Sequence, residues 1–270
     1  MPWVVSLSSL SRFERPRCSA QVLGLESAPS RLEYLGRLVS VSICPAGIDP
    51  RRFIIEESIK DKVKKLKVTG RRVVLSLDAL DASKGIPQRL LALEALLDRK
   101  PEWRGRAVLV LCCRDRGRRV DAPLRRAVDA LVGHVNGRFG RADYVPVHYV
   151  KRRLGEDEVK ALYVAADVAL IASVREGVNL WAMEYVACQG RDDSPPGVLV
   201  YSEFAGCASS FSGGALIVNP YDAEGVADAL HNARPRRPAV PSRHRRDSCP
   251  SHNEVGGLFF EFGAPRRRWP

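Results

Sequence analysis

The chain has 270 residues, 45% of them hydrophobic and 7% aromatic, which is enough for one large α/β domain or two small ones around a buried core. Its formal net charge is +12, but residues 231–270 hold nine arginines against three acidic residues, together with six prolines, so half of the excess sits in one terminal stretch. That composition reads as a solvated, poorly ordered tail with weak polyanion affinity and argues against specific nucleic-acid recognition; no apolar run reaches 18 residues, which argues against a membrane-spanning helix.

Residues 1–11 are unassigned; they lack the basic leader and small-residue cleavage site of a signal peptide. Residues 12–60 are irregular in pattern, with a strand expected over Leu38 to Ile43, then a turn at Pro45 to Pro50 and a helix. From residue 70 the pattern becomes regular. Arg72 to Leu77 predicts a buried strand, and apolar positions Ile86, Leu90, Leu93 and Leu97 give residues 86–99 a helical period, with Pro87 at a start position where its missing N–H costs nothing. Val108 to Leu111 predicts a second strand and Leu124 to Val135 a helix. Tyr144 to Tyr149 is a third strand before a helix at Glu156 to Ala165, and Val168 to Ile171 a fourth before a helix at Asn179 to Cys188. Gly190 to Pro196 is a loop by composition. Val198 to Tyr201 and Ala215 to Val218 are short strands, and a helix at Ala223 to Leu230 closes the pattern. Strands apolar throughout are buried on both faces, and their alternation with helices predicts an α/β fold with a doubly wound, mostly parallel sheet. The domain is expected to span 12–230, with 231–270 as the tail.

Seven cysteines, at 18, 44, 112, 113, 188, 207 and 249, form an odd count without CxxC or Cys/His spacing. They read as reduced thiols of a cytoplasmic protein rather than disulfides or a zinc site.

Ligands of a doubly wound sheet bind beyond the carboxyl ends of its strands. Three segments there invite chemistry. In Asp78 to Gly85, Lys84 beside a glycine at a helix start can reach a phosphate; a solvated lysine in a turn is the plain alternative. In Ser173 to Glu184, Gly177 permits close backbone approach, the helix start offers N–H groups, and Glu184 lies a turn further in, placed to accept from a ribose. The competing reading has Glu176 favouring the helix dipole and Glu184 facing water. Ser202 to Gly206 is a run of small residues that also suits an ordinary tight turn.

Several motifs resemble the trehalose-phosphate synthases. They are Leu80-Asp81-x-x-Lys84-Gly85-Ile86-Pro87-Gln88, Pro101-Glu102-Trp103-Arg104-Gly105, Asn136-Gly137-Arg138-Phe139-Gly140 and Arg175-x-Gly177-x-Asn179-Leu180. Glu184 to Gln189, Ser202 to Gly206, Val218-Asn219-Pro220, Val22 to Glu26 and Pro45-x-Gly47-Ile48-Asp49-Pro50 agree as well, all in the family's order from residue 12 to 230. The resemblance implies one Rossmann-like half of a two-domain GT-B glycosyltransferase, the half that holds the nucleotide sugar. That family transfers glucose from UDP-glucose to glucose 6-phosphate with retention, without cofactor or metal. Carried over residue by residue, Lys84 contacts the diphosphate and stabilises departing UDP, and Glu184 binds the ribose. Leu154 touches the uracil. Glu176, Gly177 and Asn179 belong to the donor site, and the backbone of Leu180, Trp181, Ala182 and Met183 borders sugar and phosphates.

Four departures from the family bear on activity. Ala79 stands where the family has a second diphosphate-binding arginine, a loss worth roughly 1–3 kcal/mol or more. Glu176 stands for an aspartate that contacts glucose hydroxyls, and its extra methylene displaces the charge by about 1 Å. Arg114, Asp115 and Arg116 lie near the position of an acceptor-phosphate arginine without aligning to it. The N-terminal half, with most of the acceptor site, has no counterpart in this sequence, so glucose 6-phosphate is expected to bind only where that half is supplied. A catalytically inactive regulatory or UDP-sugar-binding module, associating with complete synthase subunits, is the alternative reading.

Overall fold

The structure, a computed structural model, describes residues 5–6, 27–28, 31–34, 37–42, 47–53, 55–56, 59–63, 70–114, 122–189, 196–211 and 213–233. The expectations for residues 1–4, for Val22 to Glu26, for Asp115 and Arg116, for the loop at 190–195 and for the tail from 234 fall outside these residues, as does the side chain of Arg114. The chain forms two units, Met1–Gly47 and Ile48–Pro270. In the first, β1 (Val5–Ser6), β2 (Ser27–Ala28), β3 (Arg31–Tyr34) and β4 (Arg37–Ser42) form a sheet in the order β1-β4-β3-β2. The strand expected at 38–43 is β4. It pairs antiparallel with β3, Tyr34 opposite Arg37, and parallel with β1.

The second unit opens with a 3₁₀ helix, Pro50–Phe53, after the expected turn, and residues 59–63 are helical further on. Its sheet has six strands, β5 (Arg72–Ala79), β6 (Ala107–Arg114), β7 (Val147–Val150), β8 (Val168–Ile171), β9 (Val198–Ser202) and β10 (Leu216–Val218). All five pairings are parallel, in the order β10-β9-β8-β5-β6-β7. The helices are α1 (Ile86–Arg99), α2 (Ala122–Phe139), α3 (Glu156–Ala165), α4 (Leu180–Cys188), α5 (Ala208–Phe211) and α6 (Ala223–Asn232). This is the doubly wound α/β arrangement expected from the apolar strand runs.

Two boundaries differ for identifiable reasons. The third strand starts at Val147 rather than Tyr144 because Pro146 has no N–H to give a ladder; its carbonyl instead accepts from Leu109 N–H at 2.8 Å. Tyr144 pairs with Arg141 in a turn and donates its hydroxyl to the Ala107 carbonyl. Helix α2 runs four residues past Val135 because its buried positions Val128, Val135 and Phe139 keep the helical period through Gly133 and Gly137.

Strand side chains alternate between two cores. Val74, Leu109, Leu111, Leu170 and Val200 point to the face covered by α1, α2 and α6; Val73, Leu75, Cys112, Ala169 and Tyr201 point to the face covered by α3, α4 and α5. Among the described residues no helix is long and apolar enough to cross a membrane. The chain winds outward from β5 through β6 to β7, then returns to β8 and winds the other way through β9 to β10. The adjacent carboxyl ends of β5 and β8 are therefore the topological switch point, where loops part and a crevice opens.

A fully buried guanidinium stands beneath that crevice. Arg89 of α1 donates from Nη2 to Asp78 Oδ2 and to the Lys84 carbonyl, each at 2.7 Å, and from Nη1 to Ser76 Oγ at 2.8 Å. Burial raises the pKa of Asp78, and the Arg89 charge opposes that rise. Removing one member of a buried ion pair costs about 3–5 kcal/mol because the other charge is left uncompensated. Arg89→Leu is expected to lose stability of that order in urea unfolding; a loss below about 1 kcal/mol would show that the pair is not a structural tie.

Candidate functional site

Three post-strand segments meet at the switch point through their own backbones. After β5, Asp81 Oδ1 accepts from Ser83 N–H at 2.8 Å and caps the short 3₁₀ helix Ala82–Lys84. Gly85 then adopts φ 67°, and a Cβ there would lie 2.3 Å from the Ala172 carbonyl oxygen. Only glycine allows both the left-handed backbone and that approach to the end of β8. The contact aligns the neighbouring loop, whose Val174 and Arg175 N–H groups both donate to the Ser83 carbonyl at 3.0 Å. The third segment closes on the second: Gly206 N–H donates to the Gly177 carbonyl at 2.8 Å and the Glu176 carbonyl at 3.0 Å.

Within this knot the sequence candidates Lys84, Glu176, Gly177 and Asn179 come together. Glu176 Oε2 accepts from Ser173 Oγ at 2.7 Å and from Asn179 Nδ2 at 2.8 Å, while Oε1 receives Lys84 Nζ. Burial works against the charged carboxylate, but the hydrogen bonds from Lys84, Ser173 and Asn179 outweigh it and hold the Glu176 pKa below the usual value. Lys84 Nζ also stands 3.9 Å from Asp78 Oδ1. Asn179 serves two elements at once. Its Oδ1 caps α4 by accepting from Ala182 N–H at 3.1 Å, so that donor is already used, whereas the Leu180 and Trp181 N–H groups precede the intrahelical ladder. Ala182 and Met183 turn their side chains into the core, leaving Leu180 exposed and Trp181 half-buried.

A cleft of about 460 Å³ opens at the carboxyl ends of β5 and β6, between the starts of α3 and α4. Leu154, Trp181 and Glu184, three of the sequence candidates, line it. Glu184 Oε2 accepts from Tyr163 OH at 2.8 Å. Burial raises the Glu184 pKa, against the opposing Tyr163 hydrogen bond and Arg52 charge. The cleft thus combines apolar side chains such as Phe53, Leu154 and Trp181 with the carboxylates of Glu184 and Glu156 and several cations, a mixed lining suited to a ring-bearing polyol with an anionic end.

Sequence reasoning missed Arg52, Phe53, Arg152, Arg153 and Lys160, which also line the cleft. The run Lys151-Arg152-Arg153 directly after β7 was a usable signal; Arg52 and Phe53, some 100 residues earlier in the chain, had none. Arg152 is held by Glu158 at 2.6 and 2.8 Å, and that hydrogen bond together with the Gly155 N–H draws the Glu158 pKa down to about 2. The Arg89–Asp78 pair under the crevice and Tyr163 behind Glu184 were missed as well. Ala79, at the position of the family's second arginine, is buried at the end of β5.

Comparison with known proteins gives the family. The glycosyltransferase family 20 profile matches residues 16–244. UDP-forming alpha,alpha-trehalose-phosphate synthase A of Dictyostelium discoideum is 41% identical over 222 residues, covering 79% of this chain and 30% of that protein. Among solved structures, alpha,alpha-trehalose 6-phosphate synthase from Burkholderia multivorans superposes with a TM-score of 0.80 at 31% identity, over 94% of this chain and 55% of that one. An E. coli trehalose-6-phosphate structure bound with UDP-2-fluoro glucose superposes with a TM-score of 0.76 at 27% identity, over 95% and 56%. The chain therefore spans about a third of the length of the curated relative and about half of the solved ones. With a family profile matched across most of its length, and a fold that superposes on a solved trehalose 6-phosphate synthase, the chain belongs to glycosyltransferase family 20.

Proposed function

We propose that this chain is the donor-binding half of a UDP-forming trehalose-phosphate synthase, which transfers glucose from UDP-glucose to glucose 6-phosphate. The observation that carries the reading is the meeting of three post-strand turns at the switch point, with Lys84 in their midst, beside a cleft lined by Leu154, Trp181 and Glu184. The UDP-2-fluoro glucose bound to the E. coli relative supports the ligand class.

In this reading the uracil lies against Leu154 and Trp181. The ribose hydroxyls donate to Glu184, and the diphosphate lies toward Lys84 and the first-turn N–H groups of α4. The glycosidic bond breaks with negative charge growing on the leaving diphosphate, and an ammonium fixed there stabilises that charge more than it stabilises the ground state. Glu176 and Gly177 border the glucose. The nucleotide-sugar domain is proposed to span residues 12–230, with α6 carrying it two residues further to Asn232, and the rest of the Arg/Pro-rich stretch to 270 to form a tail. In the family's two-domain fold most of the acceptor site belongs to the other half, so glucose 6-phosphate is proposed to bind where that half is joined to this one or supplied by an associating synthase subunit. A cytoplasmic setting is proposed from the buried thiols of Cys112, Cys113 and Cys207, which form no disulfide.

Two measurements test the donor site. UDP at a hundredfold excess over its Kd stabilises by about 2.7 kcal/mol, which is expected to raise Tm by about 5–10 °C; Lys84→Ala is expected to lose most of that shift. No shift at millimolar UDP would refute the reading. Uridine carries no phosphate to titrate, so its binding reports on Glu184. Because the folded pKa of Glu184 is raised, protonation sets in above the ordinary 4.5. Uridine affinity is therefore expected to fall as the pH is lowered, with onset above 4.5, and Glu184→Gln is expected to flatten that fall.

A further inference from the structure

The crevice beneath the proposed diphosphate position holds two cations and two carboxylates. Arg89 is spent on Asp78, Ser76 and the Lys84 carbonyl, and Lys84 is spent on Glu176, with Asp78 3.9 Å away. Position 79, where the family resemblance places a further arginine, contributes no charge. A multiply anionic diphosphate therefore meets a cluster whose formal charge is already balanced.

The carboxylate of Glu176 is held in place to do this. Ser173 and Asn179 fasten Oε2, which turns Oε1 toward Lys84. Its side chain is 8% exposed and that of Lys84 17%, so water screens the pair only weakly. Gly177, next in sequence, is fixed by Gly206, and a Cβ on Gly206 would lie 2.9 Å from the Gly177 carbonyl oxygen, so the turn has little room to carry Glu176 away. An aspartate here would be shorter by one C–C bond, about 1.5 Å, and would withdraw from the ammonium.

We propose that Glu176 is a specificity-determining residue that competes with the donor diphosphate for Lys84, and so makes this site discriminate against UDP in favour of UDP-glucose. The inference rests on the donor-binding reading above. Its physical basis is that the diphosphate and Glu176 compete for one ammonium: to the extent that a nucleotide draws Lys84 away, a buried carboxylate is left short of one donor. With UDP-glucose, sugar hydroxyls replace the lost donor. With UDP nothing does, and the uncompensated carboxylate also repels the diphosphate. Discrimination thus comes from a penalty on the wrong ligand as well as from contacts to the right one. The pair persists at neutral pH because the three hydrogen bonds keep Glu176 ionised despite its burial.

The test is calorimetric titration of the whole chain with UDP and with UDP-glucose, in the native protein and in Glu176→Gln and Glu176→Asp, each checked for a cooperative unfolding transition. Glutamine keeps an acceptor for Ser173 and Asn179 but has no charge for Lys84; aspartate keeps the charge but not the reach, and serves if the glutamine variant does not fold. The expected result is UDP binding tightened about tenfold, about 1.4 kcal/mol, in Glu176→Gln and severalfold in Glu176→Asp, with UDP-glucose binding tightened by less. If UDP binds the native chain but the variants bind it no more tightly, or tighten both ligands equally, the proposal is overturned while the donor site stands. If neither ligand binds the folded native chain or its variants, the donor reading fails and takes this inference with it.

Discussion

The guanidinium of Arg89 is the fixed point of the nucleotide-facing end of the sheet. It lies in the interior, out of reach of bulk solvent, so its charge is met by protein, and the groups that meet it define the crevice: Asp78 and Ser76 on β5 and the carbonyl of Lys84 in the loop beyond. One side chain thereby ties the first turns of α1 to the end of the strand it follows. The loop between them cannot drift without exposing a buried charge, a penalty larger than most single contacts repay.

From that tie the rest of the site follows by contact. The loop is pressed against the end of β8 at Gly85, and the hydrogen bonds of Val174 and Arg175 to Ser83 bring the second turn into register with the first. Gly206 then locks the third turn to the second. These turns belong to strands that neighbour one another only because the winding reverses between β5 and β8. The helices that follow go to opposite faces, α1 to one core and α4 to the other, so the crevice lies between them and both helix starts border it.

Charge is distributed unevenly over this surface. The crevice has its cations and carboxylates matched and largely buried, while the neighbouring cleft is lined by Arg52, Arg152, Arg153 and Lys160, of which Arg152 is paired with Glu158 and Lys160 with Glu156, and by Glu184, raised in pKa by burial. For the exposed arginines, solvent screening keeps small the attraction that each offers an anionic ligand. Such a ligand meets resistance at the balanced crevice, where a displaced charge is costly. This distribution makes affinity depend on what the ligand offers in return at Glu176.

The amino-acid sequence by itself determined the strand–helix alternation, the doubly wound parallel sheet and the segments that leave its strands, because apolar runs such as Val73 to Leu75 and Val168 to Ile171 are legible without any partner in view. It also marked Lys84, Glu176, Gly177 and Glu184, since glycine turns and polar residues after buried strands stand out locally, while Leu154, Asn179 and Trp181 became candidates only through the family resemblance. Only the tertiary structure decided how these residues divide. It put Lys84 against Glu176 rather than leaving it open, placed Arg89 of an apparently ordinary amphipathic helix in the interior, and brought Phe53 and Arg52 to the wall beside Glu184. Those outcomes depend on which strands are neighbours and on which face each helix packs. Such pairings join residues up to about 130 positions apart, and local periodicity carries no information about them.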